Sequence, residues 1–395
     1  MRIFYASGTS PNANVISQSN LWKNNLFDSL VEMGHEVIPF SRDVTWHFTT
    51  YKNYKTSLAQ RRKFNQYRSE LQSALIAEIS NEQRKKNIDL FFSYFWSEIC
   101  SPETIDRIRS LGIKTVNWYC NGSYQFDLVA ELAPHFDWCL VPEMFRMKDY
   151  LAVGAHPIYC QEAANPQIYK AYDVPQEFDV TFIGQAYGDR PLYVRYLLDQ
   201  GIEPRVWGHG WENFSDEGTV TAQRMRDIGR TLSTPEGWWA AGKKMWKALN
   251  PRKKAPAGFH VSNARLPRRL LGGILPDQEM IRMFSRSKIN LGFSTCGDTH
   301  ETMDRILQVR LRDFEVPMSG GFYMVEHMEE LEEFFRIGEE VVCYTGPKDL
   351  AEKIRYYLAH DGEREAIRKA GHERCLRDHT WTKRFEAAFK EMGLA

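Results

Sequence analysis

ANPQIYKAYDVPQEFDVTFIG, residues 164–184, decides how the 395-residue chain is organised. Its opening part, 164–177, is polar and punctuated by prolines, the composition of a linker between domains. The apolar run FDVTFIG (178–184) follows at once, and with it a pattern already used in the first half begins again.

That first half alternates strand runs with helical stretches. RIFYAS (2–7), HEVIPF (35–40), DLFFSYF (89–95), KTVNWYC (114–120), DWCLVP (137–142) and HPIYC (156–160) read as strands. LWKNNLFDSLVEMG (21–34), the polar stretch 55–86 and SPETIDRIRSLG (101–112) read as helices between them. After the linker come FDVTFIG, PRVWGHG (204–210), KINLGFS (288–294), GFYMV (321–325) and EVVCYT (340–345), with helices at 275–287 and 347–379. Near-continuous apolar strands alternating with helices suit a parallel sheet covered on both faces. The expected fold is therefore α/β, two doubly wound domains in series: residues 1–165, residues 166–378, and a terminal helix over 379–395. Ligands of such sheets lie outside the carboxyl ends of the strands, so a cleft between the two halves is the expected site.

Composition narrows the function. The 51 basic and 51 acidic residues cancel, which excludes a polyanion binder at the level of the whole molecule. Hydrophobic residues at 43% and charged residues at 26% give the balance of a globular protein. No run of about 18 apolar residues marks a membrane span. MRIFYASGTS enters a strand without a basic and apolar leader, so a cytoplasmic protein without a signal peptide is expected. The seven cysteines are scattered and read as reduced, structural thiols.

The chemistry concentrates in RLRDFEVPMSGGFYMVEH (310–327). A carboxylate at a helix start can accept two hydroxyl hydrogen bonds, and neighbouring arginines can neutralise phosphates in a fork geometry. Unpaired amides at the helix start favour anions further. The stretch resembles the donor-binding motif of GT-B glycosyltransferases, the group related to CgeB-like spore-maturation proteins and to glycosyltransferase family 1-like donor domains. Arg312-Asp313-Phe314-Glu315 supplies the opening of that motif, and Ser319-Gly320-Gly321 precedes its strand. The likeness continues through FFRIGEEVVCYTGPKDLAEKIRYYL (334–358) and AGHERCLRDHTWTKRFEAAF (370–389). It implies two Rossmann-like domains facing across a cleft, and a sugar moved from a nucleoside-diphosphate donor to an acceptor hydroxyl. By it, Glu315 would hold the ribose, Arg310 and Arg312 the diphosphate, and Gly320 and Gly321 would let backbone approach. The terminal helix would cross back to the N-terminal domain. The chain departs from the commoner retaining enzymes, which carry two glutamates separated by seven residues. Leu307 stands where the first would be, and neither Glu301 nor Asp304 has its spacing, so stereochemistry stays open.

Further candidates border the same cleft. GQAYGDR (184–190) offers Gly184 and Arg190 to a phosphate, and GHGW (208–211) offers Gly208, with Trp211 read either as a base contact or as core. Thr295, Asp298 and His300 follow a strand, on a loop that is either solvated or turned to the cleft. In the first half Gly8 opens the first loop, and NWYCNGSYQFD (117–127) offers aromatic and amide groups to an acceptor sugar. Asp127 and His47 are the candidate bases, each with a structural alternative: a helix-capping aspartate and a packed histidine. No D-x-D motif stands at a strand end, and the resemblance implies no required metal or other cofactor.

Residues 237–276 contain no acid and nine basic residues, among them Lys243, Lys244, Lys247 and Arg252, interleaved with Trp238, Trp239, Trp246 and the pair Leu270-Leu271. Over 237–272 that composition suits an anionic membrane interface presenting a lipid-linked acceptor, with a lid or oligomer contact and a nucleic acid as the competing readings. A non-catalytic nucleotide-sugar binder of the same fold is the alternative to an enzyme.

Overall fold

The computed structural model describes residues 1–7, 21–217, 264–301 and 305–394. Gly8, Asp304 and most of the basic insert lie outside the described residues. Among the described residues eleven strands form two parallel sheets. The first comprises β1 (Arg2–Ala6), β2 (Glu36–Pro39), β3 (Leu90–Ser93), β4 (Lys114–Trp118), β5 (Trp138–Val141) and β6 (Pro157–Tyr159) in the order β2-β1-β3-β4-β5-β6. The second comprises β7 (Phe178–Ile183), β8 (Arg205–Trp207), β9 (Ser287–Gly292), β10 (Tyr323–Glu326) and β11 (Val342–Tyr344) in the order β11-β10-β9-β7-β8.

Burial follows the strand composition. All residues of β3 and β10 are buried, because helices cover both faces and neither face can carry a polar alternation. Each sheet reverses its strand order once. In the first the reversal lies between β1 and β3, and in the second between β7 and β9, where Val180 pairs with Ile289. The loops leaving β7 and β9 therefore splay apart at a switch point and leave a crevice there.

The chain crosses between the halves twice, side by side. Ala164 donates its N–H to the His379 carbonyl at 3.2 Å and bridges to Thr380. The helix Trp381–Glu391 then buries Trp381, Phe385 and Phe389 in the core of the first half. Trp381 meets Trp118 edge-on at 5.2 Å between ring centroids, and Phe385 meets Phe92 at 5.6 Å. Thr380 caps this helix by accepting from the Lys383 N–H.

The C-terminal end of the basic insert is part of the second core. Leu270 and Leu271 are buried there with Leu266, Val206 and Trp211, so this leucine pair has no face for a membrane. Arg269 pairs with Glu203, and Arg265 donates to the Ser215 carbonyl. The lysines and tryptophans of 238–254 lie outside the described residues. All seven cysteines are free and buried.

Candidate active site in the interdomain cleft

A cleft of about 470 Å³ opens where the strand ends of the two sheets face each other. Its N-terminal wall is Trp22, Tyr94, Cys120, Asn121, Tyr124, Gln125 and Glu162; its C-terminal wall is built on the loops after β7 and β9 and on the segment 308–312. The helix Leu311–Met318 starts at this wall, with Arg310, Leu311 and Arg312 lining it.

Positive charge is buried here without its usual counter-charge. Arg190 is 7% exposed, lies over the Tyr187 ring at 3.9 Å, and donates only to the carbonyls of Gln185 (3.0 Å) and Phe293 (3.2 Å). Arg310 donates to the carbonyls of Thr295 (2.9 Å) and Ser294 (3.4 Å). Neither guanidinium has a carboxylate ion-paired to it among the described residues, and the Nε of each is buried without a partner. A buried charge normally demands a partner, so these two arginines form a site that an anion would complete. Arg312 also lines the cleft, ion-paired to Glu315 one turn along the helix.

The wall is braced from behind. Asp189 takes Arg305 at 2.8 Å and Thr295 at 2.9 Å, while Arg305 also pairs with Glu326 at 2.6 Å. This network ties the loop after β7 to the ends of β9 and β10. Asp313 accepts from the Arg310 N–H (2.8 Å) and the Tyr323 hydroxyl (2.7 Å), and burial raises its carboxyl to about 6 against those bonds. Gly208 sits at φ 132 against the Gly184 carbonyl, so the loops after β7 and β8 touch backbone to backbone where a side chain would not fit.

The sequence candidates distribute as follows. Gly184, Arg190, Arg310, Arg312 and Asp298 line the cleft. Glu315 is fully buried behind Arg312, whose guanidinium is ion-paired to it. Gly208, Gly320 and Gly321 are structural. Gly320 has φ 68 and gives its carbonyl to Arg368, and Gly321 packs against Val316 and Asn290 in the turn before β10. Trp211 is core, its indole N–H held by the Gly184 carbonyl at 2.8 Å. Thr295 serves the brace, and His300 is not among the residues lining the cleft.

The two candidate bases are displaced from the cleft lining. His47 is fully buried among Phe48, Phe64 and Tyr67, and burial lowers its imidazole to about 4. Its aromatic neighbours, which flank it on the helix Trp46–Thr50 and across on Leu58–Lys85, turned it inward. Asp127 is exposed in a short 3-10 turn, Phe126–Leu128, whose cap makes no side-chain bond.

Two cleft residues, Glu162 and Gln308, and the bracing Arg305 were not legible beforehand. Glu162 lies between the strand run 156–160 and the linker 164–177, and its local sign is a single acid after an apolar strand. Arg305 and Gln308 stand beside the gap in the glutamate pattern. Gln308 reaches across the cleft: its amide donates to the Cys120 carbonyl (2.8 Å) and to Glu143 (3.1 Å), and its oxygen accepts from the Ser123 hydroxyl (2.8 Å). Among the described residues no group of three His, Cys, Asp or Glu side chains is placed to hold a metal ion.

Residues 239–390 match the family model of glycosyl transferase-like proteins. Among curated proteins, no sequence matches the chain. Among solved structures, the chain is similar to sucrose-phosphate synthase from Thermosynechococcus elongatus, with TM-score 0.56 and 11% identity over 100% of this chain and 99% of that one. It is likewise similar to HepE of Anabaena, solved in complex with UDP-glucose, with TM-score 0.51 and 9% identity over 100% of both chains. AviGT4, a glycosyltransferase involved in avilamycin A biosynthesis, aligns with TM-score 0.51 and 12% identity over 99% of this chain and 97% of that one. At these identities the likeness establishes the shared two-domain fold.

Proposed function

We infer that the reaction is glycosyl transfer from a nucleoside-diphosphate sugar to an acceptor hydroxyl; the chain is a glycosyltransferase of the GT-B fold. The observation that carries the donor assignment is the pair Arg190, buried, and Arg310, half-buried, in the cleft wall with no carboxylate ion-paired to either among the described residues. A diphosphate laid between the loop after β7 and the start of helix Leu311–Met318 would supply that charge. Glu315, held by Arg312 in this state, would take the ribose hydroxyls once Arg312 turns from it to the phosphates. The aromatic and amide wall of Trp22, Tyr94, Asn121 and Tyr124 then faces the acceptor, since flat rings stack on sugars and amides bond their hydroxyls.

The arginines do the work that a divalent ion does elsewhere, so chelator should leave turnover unchanged. The acceptor belongs to surface polysaccharide, glycolipid or protein glycosylation, and the insert 237–263 brings a cytoplasmic enzyme to the inner face of a membrane. Anionic liposomes should co-sediment the intact chain and not a version lacking 237–263; equal behaviour of the two would remove the membrane from the account.

Thermal unfolding against UDP-, GDP-, dTDP- and CMP-sugars tests the donor site, because a ligand of the folded state raises the melting temperature. One nucleotide class should raise it, and Glu315→Ala should lose the rise. No rise with any donor would contradict the assignment, and binding without turnover would favour a non-catalytic protein of this fold.

A further inference from the structure

We propose that Glu162 is the general base of the transfer, taking the proton of the acceptor hydroxyl; the assignment rests on the donor site above. Glu162 lines the cleft on the N-terminal wall beside Cys120, Asn121 and Gln125, across from Arg190 on the loop after β7. It is 4% exposed, and no lysine or arginine is ion-paired to it among the described residues. Its backbone is fixed by the Gln161 side chain, which accepts the Glu162 N–H at 2.8 Å and itself donates to the Pro142 carbonyl. A carboxylate so held, facing the cleft with the weakly donating Cys120 thiol hydrogen-bonded to it and no ion pair among the described residues, is available to a substrate.

Its surroundings set its proton affinity. Arg310 and Arg312 face it from the start of helix Leu311–Met318, Asp313 from the same helix, Glu143 from the end of β5, Cys120 from the end of β4 and Tyr94 from the end of β3. Burial outweighs the arginines and lifts the carboxyl to about 8, near the working range of a base at neutral pH. Neither His47 nor Asp127 competes for the role, since neither lines the cleft.

The step balances without a further reactant. The acceptor oxygen forms its bond to the anomeric carbon as its proton passes to the Glu162 carboxylate. The bond from that carbon to the diphosphate oxygen breaks, and the electron pair leaves with the diphosphate against Arg190 and Arg310. With water as acceptor the products are the free sugar, the nucleoside diphosphate and a proton.

The test uses hydrolysis of UDP-, GDP- and dTDP-glucose, with binding of the matching nucleoside diphosphate followed by calorimetry. Glu162→Gln should bind the diphosphate like wild type and lose at least about 100-fold in hydrolysis, the usual scale of acid–base catalysis. The wild-type rate should climb with pH towards a plateau above about 8, and the variant should lack that limb. Glu162→Ala should regain rate when sodium formate is added. A wild type that binds diphosphate and hydrolyses no faster than Glu162→Gln overturns the base assignment alone. So does loss of diphosphate binding in Glu162→Gln. Absence of diphosphate binding in wild type overturns the donor site itself, and the base assignment with it.

Discussion

Two arginines decide the site at the residue scale. Arg190 and Arg310 each hold a guanidinium in the cleft wall on backbone carbonyls, with the Cys296 sulfur as a further acceptor for Arg310 and no carboxylate ion-paired to either among the described residues. Carbonyls orient a guanidinium and leave its charge uncompensated, so the anion that completes the site should bind strongly. Removing one such charge-assisted contact costs about 1.5–3 kcal/mol, so Arg190→Ala or Arg310→Ala should weaken nucleoside-diphosphate binding about 10- to 100-fold. Calorimetry with the diphosphate, and with the nucleoside lacking phosphates as control, checks this; the control should be unaffected. Both arginines were legible because each stands at the end of a strand or the start of a helix. Glu162 was not, since a lone glutamate after β6 looks the same whether it points to solvent or to a cleft. His47 misled for the opposite reason: its aromatic neighbours look like a binding loop in sequence, and in the fold they are a packed cluster.

That histidine also makes a pH prediction. The folded state holds His47 near 4 by burial, while the unfolded chain binds a proton near the ordinary 6.5. Its contribution to stability is therefore present above about 6.5 and is lost as pH falls towards 4. His47→Phe should flatten the acid side of the stability curve in denaturant titrations between pH 7 and 4 and leave donor binding intact. An unchanged acid slope would place the proton uptake elsewhere.

At the scale of elements, the strands were readable throughout because a buried parallel strand is a short apolar run bounded by polar loops. Every run quoted at the outset overlaps an observed strand and is longer than it by one to four residues, while Ser287 of β9 and Glu326 of β10 fall just outside their runs. What sequence could not show was contact between loops. Gly208 looked like a ligand-facing glycine, and its function is to let the loop after β8 lie on the Gly184 carbonyl. Gly208→Ala should destabilise the second domain by about 1–3 kcal/mol, since both the φ of 132 and the missing space oppose a side chain. The same reasoning applies to the helix Trp381–Glu391, whose apolar face fits the first core. Trp381→Ala should cost about 3–5 kcal/mol, the usual range for a buried aromatic, and differential scanning calorimetry should show the loss in the N-terminal half.

The whole molecule is two sheets joined by a double crossing and by side-chain latches, Glu330 on Tyr159 and Gln161 at one place and Gln308 at another. Gln308, from the second half, satisfies Cys120, Ser123 and Glu143 of the first, and Cys296 adds its thiol to the same cluster. The latch sits one residue after Leu307, so the position that departs from the commoner glutamate pattern is next to a residue holding the domains together. Gln308→Ala should let the halves separate, giving a larger radius of gyration in small-angle scattering without donor and recovery of the compact form when nucleoside diphosphate is bound. An identical radius in both states would make the contact ornamental to closure. The two-domain architecture was legible from the restart of the strand pattern at 178; this contact was not, because it joins residues 185 positions apart through loops of unrelated composition.

The central claim is that the cleft between these halves binds a nucleoside diphosphate on Arg190 and Arg310. Calorimetric titration of UDP, GDP and dTDP into wild type, Arg190→Ala and Arg310→Ala tests it most directly. The account predicts one saturable site for one of these nucleotides, weakened about 10- to 100-fold by either substitution. Binding that is untouched by both substitutions, or no binding of any of the three, would contradict it.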